Sequence, residues 1–68
     1  MLLNVENMSC QHCVNVVTRE LQALDATARV EVDLASKQVR AHGQFSADAV
    51  IAALADADYP ATLISNDG

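Results

Sequence analysis

The chain has 68 residues with four Lys or Arg, nine Asp or Glu, and a formal charge of −5. So acidic a protein lacks the basic footprint that nucleic acid or an anionic membrane surface demands. Hydrophobic residues make up 51% but aromatics only 3%, so the sequence predicts one small domain over residues 1–68, with a thin core of Val, Leu, Ile and Ala and little room for an elaborate catalytic cleft.

"LLNVE", residues 2–6, alternates and predicts a strand with Leu3 and Val5 inward. "NMSCQHC", residues 7–13, follows and holds both cysteines of the chain, Cys10 and Cys13, with His12 between them. "VNVVTRELQAL" then changes period. Val14, Val17, Leu21 and Leu24 recur at helical steps and predict one apolar face, with Arg19, Glu20 and Gln22 in water and Asp25 where the helix ends. "ARVEVDL", residues 28–34, returns to alternation, with Val30, Val32 and Leu34 on one side. "ASK" is a short turn, and "QVRAH", residues 38–42, completes a hairpin through Val39 and Ala41. His42 is expected to point outward, away from the cysteine loop. Ser46 is placed to cap a second helix, with Asp48 in its first turn. That helix is predicted to run to about Ala57 and to bury Val50, Ile51 and Leu54. "ATLIS", residues 61–65, is a last strand. Pro60 cannot donate a ladder hydrogen bond and belongs at a strand start or sheet edge. The tail "SNDG" is expected to fray.

The order βαββαβ predicts an α+β, ferredoxin-like sandwich. Four antiparallel strands lie in the order 4-1-3-2, with both helices on one face. Cys10 then sits in the first loop and Cys13 at the start of the first helix. The positive end of the helix dipole favours a thiolate there.

Three chemistries use two thiols at this spacing. A disulfide would close a very small loop and add little stability. A thioredoxin-like redox pair also begins a helix, but this chain is too short for that fold and has no aromatic beside the motif. A metal site remains. Soft thiolates select Cu(I), whereas structural zinc almost always takes four ligands. The only other strong donors of this type are His12, expected to diverge from the sulfurs, and His42, expected to point away. Two thiolates that leave a metal incompletely coordinated allow ligand exchange.

The "MSCQHC" loop, set in a βαββαβ order, resembles the M-x-C-x-x-C site of the heavy-metal-associated domains. Among these it is most similar to free-standing bacterial copper chaperones. The resemblance extends through "CVNVV", "VEVDLASKQV" and "ALADADYPATL". It implies that Cys10 and Cys13 bind Cu(I). It implies that Met8 packs beneath the loop without ligating, and that Tyr59 stands beside the metal loop. The family usually has glycine at Asn7, near Asp58 and after Asp25, and asparagine tolerates positive φ better than other non-glycine residues.

The resemblance further implies a carrier, not an enzyme. Such a carrier passes Cu(I) to the metal-binding domain of a copper-transporting P-type ATPase, or to a copper-responsive repressor. His12 is a minor-ligand candidate in a copper-bridged homodimer; without metal a monomer is expected. The alternatives are a metal-binding regulatory domain of a larger transporter, or a mercury- or zinc-binding member of the family. The start of the chain lacks a secretory pattern, and no apolar run approaches the length that spans a bilayer, so a cytoplasmic location is expected.

Overall fold

Alternating stretches become strands here, and stretches with three- and four-residue recurrence become helices. The computed structural model describes residues 1–65. Its order is β1 (Leu2–Val5), α1 (Gln11–Leu24), β2 (Arg29–Asp33), β3 (Gln38–His42), α2 (Ala47–Asp56) and β4 (Ala61–Ser65). The sheet is antiparallel throughout and runs β2-β3-β1-β4, the expected order. Leu3 lies opposite Val39 on one side and Leu63 on the other, and Val32 also faces Val39. These side chains share the face that packs against the helices. A slip of one residue would turn all of them into water.

The core is aliphatic, as composition required. Leu3, Val5, Met8, Val17, Leu21, Val39, Val50 and Leu54 are fully buried. Helix α1 begins before "VNVV", because Cys10 takes the N-cap position. Its carbonyl accepts from the N–H groups of Cys13 (3.0 Å) and Val14 (3.3 Å). This draws Cys13 into the helix. The buried stripe is therefore Cys13, Val17 and Leu21, at steps of four. Val14 is only half-buried and Leu24 is 41% exposed, so the predicted face was rotated at both ends.

Helix α2 is capped as expected, with Ser46 Oγ accepting from Ala49 N–H at 3.1 Å and Asp48 in the first turn. It buries Val50 and Leu54, while Ile51 packs half-buried at the rim. Strand β2 is shorter than "ARVEVDL" suggested. Leu34 falls into the turn of residues 34–37, closed by Lys37 N–H on the Leu34 carbonyl at 3.3 Å. Pro60 stands just before the edge strand β4, and its carbonyl accepts from Glu6 N–H at 2.8 Å. Ser65, where the tail was expected to begin fraying, closes β4; residues 66–68 lie outside the described residues.

This topology gathers three connections at one end of the sheet: residues 7–10, the hairpin turn 34–37, and residues 57–60. His42 pairs with Arg29 at the opposite end, away from the cysteines as expected. Among the described residues, no helix is long and apolar enough to cross a membrane.

Candidate metal site

The chain leaves β1 into the loop through a left-handed residue, Asn7, at φ 66. This turn reverses the backbone so that Met8 points down into the core, where it is fully buried. An apolar side chain thus fixes the loop from beneath. Ser9 and Cys10 stay exposed above it. Cys10 is extended (φ −150, ψ 169), and its side chain makes no capping bond. Its sulfur lies 3.3 Å from that of Cys13, and both cysteines are free. The two sulfurs are unequal: Cys10 is exposed, while Cys13 keeps only 8% of its surface.

Residues 57–60 form a second wall. Asp58 is also left-handed, at φ 69. Tyr59 donates its backbone N–H to the Leu54 carbonyl at 2.8 Å and packs half-buried against the core. Its hydroxyl is the strongest influence on the Cys13 thiol. The Asn7 side-chain amide donates to the Asp58 carbonyl at 3.1 Å and ties this wall to the cysteine loop.

These donors shape the electrostatics. The Cys13 thiol is lowered from its ordinary 9.0 to about 7, first by the Tyr59 hydroxyl, then by the Ser9 backbone and the Cys10 side chain, against the opposing effect of burial. Tyr59 is pushed up from 10.0 to about 12, chiefly by the Cys13 side chain, then by burial and nearby negative charge. While Cys13 keeps its proton, the thiol also faces the Asn7 carbonyl at 3.6 Å. A donor-rich surround of this kind favours the thiolate, which is the metal-binding form.

The structure therefore brings Cys10, Cys13, Met8 and Tyr59 together. His12 is exposed on the first turn of α1. Among the described residues, no three His, Cys, Asp or Glu side chains gather into a metal-binding group. What the arrangement offers is two sulfurs with one open side. Sequence reasoning treated Asn7 only as a tolerant backbone position and missed its side-chain bond. Its partner lies 51 residues away, so no local pattern announces it.

The pattern of the heavy-metal-associated domain matches residues 2–60. The copper chaperone CopZ of Staphylococcus haemolyticus (strain JCSC1435) is 49% identical over 39 residues, 57% of each chain. A copper chaperone for superoxide dismutase from Arabidopsis thaliana is 36% identical over 58 residues, 85% of this chain and 18% of that one. These matches thus span little more than half of the first relative and under a fifth of the second. The trimeric copper form of the chaperone Atx1 from Synechocystis PCC6803 superposes with a TM-score of 0.87 at 34% identity, covering 91% of this chain and 98% of that one. With its βαββαβ sandwich and its two-cysteine loop, the chain belongs to the heavy-metal-associated domain family.

Proposed function

We propose that this protein is a cytoplasmic copper chaperone that binds Cu(I) through Cys10 and Cys13 and passes it on by ligand exchange. One observation carries the reading: two sulfurs 3.3 Å apart at an exposed loop, with no third His, Cys, Asp or Glu among the described residues gathered beside them. That donor set is too soft and too small for structural zinc and suits a monovalent soft ion. The names of the relatives, copper chaperones in a bacterium, a plant and a cyanobacterium, support the same cargo.

The exchange follows from the unequal sulfurs. An incoming thiolate from a partner approaches the exposed Cys10 side and forms a three-coordinate bridge, and one donor thiolate then leaves. No bond in an organic substrate changes, so the activity is carriage and not catalysis. An ion held in line between two thiolates needs its sulfurs farther apart than two sulfurs in mutual contact. The pair must therefore open from 3.3 Å, and the uncapped Cys10 has the freedom to swing. Met8 holds the loop from below, and Tyr59 walls the buried side. His12, exposed on α1, is left as the minor ligand of a copper-bridged dimer.

The recipient we favour is the metal-binding domain of a copper-transporting P-type ATPase, with a copper-responsive repressor as the second. Exposed Glu6, Asp33, Asp56 and Asp58 lie towards the cysteine end, with only Lys37 to offset them there, which suits a partner with a basic rim. A second reading is a metal-binding domain of a longer protein. It is favoured by the Arabidopsis relative, of which the match occupies 18%.

Copper stoichiometry and affinity under strictly reducing conditions test the reading. The native chain should bind one Cu(I). Cys10→Ser and Cys13→Ser should each weaken binding by orders of magnitude. Retention of native affinity in both would refute the site.

A further inference from the structure

Asn7 makes two contacts that no other residue of the loop combines. Its side-chain amide donates to the carbonyl of Asp58 at 3.1 Å. Its own carbonyl faces the Cys13 sulfur at 3.6 Å. Asp58 immediately precedes Tyr59, whose side chain packs half-buried against the core cluster that includes Cys13. Both residues of the link are left-handed, at φ 66 and φ 69, and neither is glycine. Left-handed backbone is costly for most side chains, least so for Asn and Asp. A glycine at position 7 would relax that turn but could not make the link, whereas at position 58 only the backbone carbonyl takes part.

We propose that Asn7 is a positioning residue: its amide latches the cysteine loop to the Tyr59 turn, so that the two move as one wall and slow the release of the bound ion. The proposal rests on the copper reading above. The rest of the turn is anchored without Asn7. Tyr59 N–H binds the Leu54 carbonyl, and the Pro60 carbonyl accepts from Glu6 N–H, both at 2.8 Å. Loss of the amide therefore loosens the wall without dismantling it. Breaking the latch lets Tyr59 move off Cys13 and opens the buried flank to a competing thiol.

The chain reports on this directly. Tyr59 is its one tyrosine, and it has no tryptophan, so tyrosine fluorescence reads that turn alone. Two variants separate the effects. Asn7→Asp keeps the shape and turn tolerance but replaces a donor with an acceptor facing the Asp58 carbonyl. Asn7→Gly removes the side chain and relaxes the turn. The metal-free native chain and both variants are compared by tyrosine anisotropy. Their copper-loaded forms are compared by the rate of Cu(I) transfer to an excess of bathocuproine disulfonate.

Both variants should give lower anisotropy and release copper roughly two- to tenfold faster, the range that one hydrogen bond of this kind spans. Unchanged anisotropy in folded variants overturns the latch whatever copper does. Lower anisotropy with unchanged release overturns its control of the ion. A native chain that fails to bind Cu(I) sinks the copper reading and with it the control of release, while anisotropy still decides whether the loops are latched. The two failures are thus distinguishable.

Discussion

Cys13 is held between opposing influences, and the balance is readable atom by atom. Burial disfavours its anion, while the Tyr59 hydroxyl, the Ser9 backbone and the Cys10 side chain favour it; the donors win and set the thiol at about 7. Tyr59→Phe removes the largest of them, so the Cys13 pKa rises back towards 9.0. About half of a group with pKa 7 is ionised at pH 7, but only about a tenth of one with pKa 8. Alkylation of Cys13 in the reduced, metal-free chain at pH 7 should therefore slow several-fold, with its rate–pH curve displaced upward, as mass spectrometry of the modified residue would record. Stability follows the same sign. A thiol whose pKa is depressed in the fold adds stability that is present above pH 9.0 and fades as pH falls through about 7. In Tyr59→Phe that alkaline gain shrinks. An unchanged alkylation curve would remove Tyr59 from the site.

Helix α1 decides at the element scale which side chains carry the fold. Apolar periodicity alone suggested a face from Val14 to Leu24, but the N-cap at Cys10 places Cys13, Val17 and Leu21 underneath. Leu21→Ala should cost about 2–5 kcal/mol, as emptying a filled core position does. Leu24→Ala, at a site 41% exposed, should stay within about 0.5 kcal/mol. Urea unfolding separates the two, and equal costs would contradict the observed face. The strands were easier to read. Val30, Val32, Val39 and Ala41 alternate without interruption, and alternation admits only one inward set. Ser46 was legible because a cap acts within three residues. Cys10 was not, since it starts its helix with no side-chain bond to announce it. Lys37 was equally hidden: its left-handed turn, at φ 57, is set by the hairpin closure and not by its own preference.

Over the whole molecule the two ends of the sheet do different work. One gathers the cysteines; the other is fastened by Asp25. The Asp25 carboxylate accepts from Gln44 N–H (2.7 Å), Thr27 N–H (3.0 Å) and the Thr27 hydroxyl (2.8 Å). It therefore ties the end of α1 to the connection that precedes α2, and its pKa is lowered, chiefly by the Gln44 bond. Sequence reasoning saw only a helix end there, because Gln44 lies 19 residues on. Asp25→Asn should lower the urea midpoint at neutral pH and leave Cu(I) affinity unchanged. A carboxylate depressed in the fold stabilises above its unfolded pKa, near 3.8, and loses that contribution as pH falls through its lower folded value. The gap between native and variant should accordingly be full at pH 7 and close in acid. A gap that persisted at low pH, or a loss of copper affinity, would show that the ends are not independent.

The unequal exposure of the two sulfurs gives the proposed cargo a front and a back. Cys13 lies in the core cluster with Met8 and against Tyr59, so in the proposed exchange a visiting thiol enters over the exposed Cys10. Under that proposal a recipient docks with its own thiols aimed at that threshold. A binding partner that covered Cys10 with any other surface would lock the ion in place instead of receiving it.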